Sequence, residues 1–257
     1  MNLIEMADYL LKNLLEEKRK YGRIAIPKDI EGKKILIRHL MNIREALPVS
    51  DDFLNVQDKY LKTINNKITD ADNLKSVSID SRLILWQGDI TTLNADAIVN
   101  AANNQMLGCF IPGHRCIDNA IHSMAGIQLR LECDRLMKQQ GSLEKTGTAK
   151  ITRGYNLPSK YIIHTVGPII KGKLKDHDIE DLRNCYLSCM KIADEYKLES
   201  IAFCCISTGE FRFPNEEAAE TAVNTVTEYL KGSTNLKRVI FNVFKDKDNE
   251  IYKKLLR

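Results

Sequence analysis

The sequence predicts an α/β fold: a helix-only segment over residues 1–75 and a three-layer α/β domain over residues 76–257. Three observations carry this reading. Apolar residues recur at helical spacing from Asn2 to about Asp72. After Ser76, apolar runs of strand length alternate with long amphipathic helices. A length of 257 residues exceeds one ordinary domain and falls short of two, which suits one principal domain with an extension.

In the extension, Leu3, Met6, Leu10, Leu11, Leu14 and Leu15 build the first helix, and Gly22 is expected to stop it. A second helix runs from Pro27 to about Ala46, with Ile35, Leu36, His39, Leu40 and Ile43 as its apolar stripe and Pro48 beyond its end. A third, more polar, covers Asp51 to Ile68, and Thr69 to Lys75 reads as a linker. The Lys and Arg residues of these helices read as solvated faces.

Leu83 to Trp86, Ala97 to Val99, Tyr161 to His164, Ile201 to Ile206 and Arg238 to Phe244 are the expected central strands. One helix is expected from Asp118 to about Gly141 and another from Asp178 to Leu198. A third opens at Pro214, where a missing amide proton is harmless, and closes at Gly232. In such a fold the ligand lies beyond the carboxyl ends of the strands.

The apolar fraction of 44% is ordinary, and no apolar stretch approaches the roughly 20 residues that cross a bilayer. The first residues carry acids where a secretion signal would carry bases. Seven cysteines cannot all pair, and Cys204 and Cys205 are adjacent in an expected buried strand, so a reducing cytoplasm is expected rather than a disulfide framework. The net charge of +4 is spread among interspersed Lys, Arg, Asp and Glu, which marks no nucleic-acid face, and neither nucleic acid nor membrane is expected as a partner.

The chemistry concentrates in four places. Asp89 leaves the first strong strand beside Ile90, where a carboxylate and an amide suit an adenine edge; an Asp capping a turn is the alternative. Asn100 and Asn103 can serve sugar hydroxyls or form Asx turns. Ser207, Thr208, Gly209, Glu210 and Phe211 follow a buried strand and precede a helix, a setting in which backbone amides cradle a pyrophosphate; Gly113 to Asp118 precedes another helix, so two loops can grip one diphosphate. Gly209 allows close backbone approach.

Cys109, His114 and Cys116 offer three zinc-type ligands on a loop turned by Pro112 and Gly113. Three ligands leave a position for water or substrate, whereas a fourth from His122 or Cys133 would close the shell; packed thiols beside an exposed imidazole are the plain alternative. Asp118, at a helix start, reads as an N-cap, as an acid–base group, or as both. His122 reads as a partly buried helix residue and His164 as a satisfied core histidine.

Together, Gly88-Asp89-Ile90, Val99 to Asn103, Cys116 to His122, Ile163 to Pro168 and Ile206 to Pro214 resemble the macrodomain family in order and spacing, over roughly Leu83 to Leu256. The resemblance is closest to the bacterial zinc-dependent protein-ADP-ribose hydrolase subgroup, whose members carry an N-terminal helical extension. Commoner members have a glycine run where Phe110 to Cys116 stands here. The resemblance implies an α/β/α macrodomain with a mixed central sheet, and one zinc ion of catalytic type on Cys109, His114 and Cys116. It further implies a hydrolase that frees ADP-ribose from mono-ADP-ribosylated protein side chains. Asp118 and Asn103 would be catalytic, Asn103 holding the distal ribose. Asp89, Ile90, Cys116, Ile117, Asp118 and Ser207 to Phe211 would bind ADP-ribose, with Phe244 stacking on adenine. A lipoyl carrier protein as substrate and a sirtuin-type ADP-ribosyltransferase as counterpart follow from the resemblance too. Two rivals stay open: a non-catalytic ADP-ribose reader and a hydrolase of small derivatives such as O-acetyl-ADP-ribose.

Overall fold

A computed structural model describes residues 1–17 and 24–257; the stop expected at Gly22 lies outside them. Helix α1 (Leu3–Glu17) opens on a reciprocal cap in which the Glu5 amide donates to Asn2 Oδ1 and the Asn2 amide to Glu5 Oε2. Asp29 caps α2 (Ile30–Ile43) by accepting from the Gly32 amide, and Ser50 caps α3 (Asp51–Ile64) by accepting from the Phe53 amide. Leu10, Leu11, Leu14, Ile37, Leu40, Phe53 and Tyr60 are buried between the three helices as a core of their own.

The basic residues of this segment are not all solvated. Lys33 is buried against Asp8, and Arg44 is buried with its guanidinium forked onto the Glu17 carboxylate at 2.7 and 3.0 Å. The reason is that α2 packs against both α1 and the α/β unit, so its polar side has little access to water. Nor are Thr69 to Lys75 a bare linker. Thr69–Asp70 form β1, paired in parallel with β3 (Leu93–Asn94), and a 3-10 turn follows at Ala71–Asn73 with Ala71 in the main core. Asn65 Nδ2 donates to Thr91 O just before, which ties the segment to the sheet edge.

The main sheet runs in the order β2 (Leu83–Gln87), β8 (Arg238–Val243), β7 (Ser200–Phe203), β4 (Ala97–Ala101), β6 (Tyr161–Thr165), β5 (Ala149–Arg153). All pairs are parallel except β5 on β6, so the sheet is mixed. β4, β7 and β8 are buried along nearly their whole length, which requires cover on both faces. From β4 the chain passes through α4 (Ile117–Ala125) and α5 (Ile127–Gln140) toward β6. From β6 it returns through α6 (Asp176–Glu195) to β7 and through α7 (Asn215–Leu230) to β8. These crossovers run in opposite directions along the sheet, and right-handed connection puts α4 and α5 on one face and α6 and α7 on the other. The C-terminal α8 (Asp246–Leu255) packs beside α7.

The single helix expected from Asp118 to Gly141 is two. Gly126 sits at φ +98°, open to glycine and strained for other residues, and splits α4 from α5. The α3 side chain of Gln57 fills the break: its Oε1 accepts from the Ile127 amide at 3.0 Å, and Ile127 buries its side chain in the N-terminal core.

Candidate active site

Five strands discharge their carboxyl ends at one edge, and the direction of the crossovers reverses between β4 and β7, where an open α/β sheet leaves a crevice. Asp118 lies at its inner wall, in the first turn of α4, with its side chain buried. Asn100 Nδ2 donates to its Oδ1 at 2.8 Å and Asn103 Nδ2 to its Oδ2 at 3.3 Å, while His122 Nε2 lies 3.5 Å from Oδ1. Burial pushes the Asp118 carboxyl up to about 6, opposed by the Asn100 hydrogen bond, by the Arg130 charge and by Asn103.

The support continues inward. The parallel register sets Asn100 beside His164, and Asn100 Nδ2 also donates to His164 Nδ1 at 3.1 Å. An amide nitrogen only donates, so the ring proton sits on Nε2, which faces Thr152 Oγ1 at 2.9 Å. Burial holds His164 at about 3 and therefore neutral. One strand-borne chain, Asp118–Asn100–His164–Thr152, thus fixes the carboxylate.

Beside Asp118 the loop between β4 and α4 gathers Cys109 Sγ, a His114 ring nitrogen and Cys116 Sγ, all within 4.8 Å of one another and all half-buried. Cys109 Sγ is 3.5 Å from His114 Nδ1, and Cys116 caps α4 by accepting from the Asn119 amide at 3.4 Å. Burial pushes the Cys116 thiol up to about 12, eased by the Asn119 amide and aggravated by Cys109 and Asp118. The Cys116 thiol, half-buried beside a carboxylate, resists negative charge until a cation joins it, and the soft S, N, S donor set fits zinc. His122 and Cys133 do not complete this set; their ligand atoms gather with those of His164 in a second, fully buried group.

Across the crevice, the loop after β7 holds Ser207 at φ +64° and Arg212 at φ +59°. The Ser207 hydroxyl is buried without a hydrogen-bond partner, and Gly167 clears space for it, since a Cβ there would stand 2.0 Å from Ser207 Oγ. Glu210 Oε1 lies 3.5 Å from His114 Nε2, so the two loops meet over the crevice.

A Macro domain family model matches residues 99–222. A Staphylococcus aureus protein named protein-ADP-ribose hydrolase is 51% identical over 248 residues, covering 96% of this chain and 93% of its own length. The chain belongs to the macrodomain family. Among solved structures, the Trypanosoma brucei macrodomain in complex with ADP-ribose superposes with a TM-score of 0.68 at 28% identity, covering 85% of this chain and 95% of its own. The Oceanobacillus iheyensis macrodomain with ADP superposes at 0.61 with 37% identity, over 67% of this chain and 88% of its own.

Within this macrodomain the expected site residues fall along one edge. Asp89 is exposed and its Oδ1 accepts from the Thr91 amide and hydroxyl, so it caps the 3-10 turn Ile90–Thr92 while keeping Oδ2 free of that turn; Ile90 is buried behind it. Phe244 stands 75% exposed beyond β8, next to Gln87. Two readings change. Asn100 is fully buried and faces Asp118 and His164 rather than a sugar. The cap of α4 is Cys116, not Asp118. Gly209 has open space around it, as close backbone approach requires, while Ser207 and Arg212 carry the left-handed backbone of this loop. Sequence reasoning missed Arg38 and Asn42 of α2, which bond to the metal-type loop from 71 or more residues away, and no local signal marks them.

Proposed function

We propose that this macrodomain is a zinc-dependent hydrolase that releases ADP-ribose from mono-ADP-ribosylated protein side chains. The observation that carries the reading is the buried Asp118 carboxylate, held by Asn100 and Asn103, beside a Cys-His-Cys set; the Trypanosoma brucei macrodomain that superposes on this chain is a complex with ADP-ribose. The name of the Staphylococcus aureus relative, matched over nearly its full length, supports the reaction class.

Asp89 and Ile90 take the adenine edge, Phe244 offers a stacking face, and Ser207 to Phe211 with Cys116 and Ile117 cradle the diphosphate and ribose. Remote binding of that kind supplies the positioning on which the reaction draws. Asn103, whose Nδ2 already spans Gly108 O and Asp118, sits where the distal ribose meets the carboxylate. Cys109, His114 and Cys116 hold the zinc, whose chemistry when bound is Lewis-acid polarisation of an oxygen near the anomeric carbon. Asp118 accepts the proton of the attacking water as the bond between the anomeric carbon and the protein side chain breaks and positive charge develops on the ribose; the hydroxyl of water ends on the released ADP-ribose, and the proton passes on to the departing side chain. Asn100 keeps the carboxylate aimed, and the neutral His164 behind it adds no competing charge.

Residues 1–75 are proposed as a helical extension and 76–257 as the macrodomain, a division supported by an apolar core in each, with Ala71 joining the main core and Ile127 the N-terminal one. A lipoyl carrier protein as substrate and a sirtuin-type transferase as counterpart are proposed on family resemblance. A cytoplasmic location is proposed on the cysteine usage; among the described residues no helix is long and apolar enough to cross a membrane.

The test is release of free ADP-ribose from an ADP-ribosylated protein by the metal-replete chain and by the same chain after chelation, with the fold followed by circular dichroism. Release lost in the folded, chelated sample is the expected result. Equal release in both removes the metal from the mechanism, and binding of ADP-ribose without release in either makes the protein a reader.

A further inference from the structure

The loop that carries Cys109, His114 and Cys116 is held from two sides: Asn103, Asn119 and Arg130 of the macrodomain bond Gly108, Ile111 and Leu107, and the helical extension bonds the ligand span at Gly113 and His114. Arg38 reaches from α2 to donate Nη2 to His114 O at 3.1 Å and to Asn119 Oδ1 at 2.8 Å, with Nε adding a second bond to Asn119 at 3.2 Å. Asn119 is the hub of the loop: its amide donates to Cys116 Sγ and its Nδ2 to Ile111 O at 3.0 Å. One turn further along α2, Asn42 Oδ1 accepts from the Gly113 amide at 3.0 Å, and its Nδ2 donates to Ser123 Oγ of α4 at 2.9 Å. Between them the His39 ring comes up against Gly113. Gly113 is at φ +64°, and a Cβ there would stand 2.4 Å from His39 Nε2.

Three residues on one face of α2 therefore grip the loop inside the ligand span, at Gly113 and His114 and at the residue that bonds Cys116. A loop interrupted by proline and glycine has many conformations, and closing three ligands onto one cation costs their entropy unless something else has fixed them. Neighbours that orient metal ligands commonly change affinity by 10- to 100-fold when removed.

We propose that α2 of the extension is the positioning element of the metal loop, with Arg38 and Asn42 setting how tightly the Cys109–His114–Cys116 set holds its cation. The proposal rests on the zinc reading above. It makes the extension part of the catalytic apparatus although none of its residues touches the reacting atoms.

Two measurements on the full chain decide it. Zinc affinity is measured by competition with a chromophoric chelator for the wild type, Arg38→Ala and Asn42→Ala. Amide hydrogen exchange of Gly113 is measured in the metal-free chain. The expected result is zinc binding weaker by about 10-fold or more in each variant, with faster exchange at Gly113 in Asn42→Ala and restored protection in Asn42→Asp, which keeps the acceptor. Should Arg38→Ala not fold, Arg38→Gln, which keeps one donor, takes its place. Folded variants with wild-type zinc affinity and wild-type Gly113 exchange overturn the proposal. A wild type that binds no zinc overturns the metal reading instead, and Gly113 exchange in the metal-free variants then decides whether α2 braces the loop.

Discussion

The macrodomain holds two clusters of thiol and imidazole of nearly the same composition and very different meaning. Cys109, His114 and Cys116 stand half-buried on a loop, while His122, Cys133 and His164 are sealed in the core behind Asp118. Each gathers its ligand atoms within 4.8 Å. In the sealed cluster the His164 lone pair is taken by Asn100, and its proton faces Thr152. Burial also drives the Cys133 thiol far above its ordinary range and the His122 imidazole well below its own, both toward the neutral form. In the open cluster both thiols and the His114 ring reach the crevice, and an exposed carboxylate faces the imidazole. Ligand types in proximity do not by themselves make a metal site; a route to water is needed as well.

Breaking each cluster in turn gives the largest contrast. Cys116→Ser should abolish stoichiometric zinc binding, whereas Cys133→Ser should keep about one zinc per chain, since three-ligand sites lose most of their affinity with one thiolate. Metal analysis of the two purified variants checks this, and loss of zinc from Cys133→Ser would reverse the assignment. Asp118→Asn, at the boundary between the clusters, should lower turnover by about 10²- to 10⁴-fold, the range of one general acid–base group. Calorimetry should show ADP-ribose affinity within a few-fold of wild type; full turnover would take Asp118 out of the chemistry.

A smaller effect is expected from His164→Leu, which strands Asn100 and Thr152 without their partner and should cost about 1–3 kcal/mol of stability by denaturant midpoint. It also changes the pH profile. The folded chain keeps His164 neutral down to about 3, while the unfolded chain protonates it near the ordinary histidine value of about 6.5. The unfolded state then binds the extra proton, so stability is full above about 6.5 and falls as pH drops toward 3, by up to about 1.4 kcal/mol per pH unit. His164→Leu should flatten that descent, and an unchanged slope would mean that His164 is charged in the native state. The smallest change is Glu210→Gln. Glu210 is 72% exposed, so removing its charge beside His114 should weaken zinc by no more than about tenfold.

The parallel strands and most helices were legible because their residues are apolar at the right period: Ile98 and Val99, or Val239 to Phe241, are buried on both faces and could belong only to inner strands. β5 escaped notice since Ala149 to Arg153 is an edge strand with Lys150 and Arg153 among its five residues and only Thr152 buried. α8 is rich in Lys and Asp, and the break at Gly126 lies inside an otherwise continuous helical pattern. In the site, Cys109, His114 and Cys116 could be read from spacing because they share one loop. The Arg38 to Asn119 contact spans 81 residues and the Asn100 to His164 contact 64; such pairs exist only once register and helix docking are set. Asn100 shows the cost of reading locally, for the same carboxamide that suits a sugar also suits a carboxylate and an imidazole.

The Gln57 wedge at Gly126 bears on how this protein could be recombined. Ile127 opens a macrodomain helix yet buries its side chain among the N-terminal leucines, and its amide is satisfied by a glutamine from α3. A chimera that kept residues 76–257 and discarded the helices would present Ile127 to water and leave α5 without that acceptor at its first turn. The catalytic module is therefore not a portable cassette. Transplanting it into another host protein means carrying its helical collar with it.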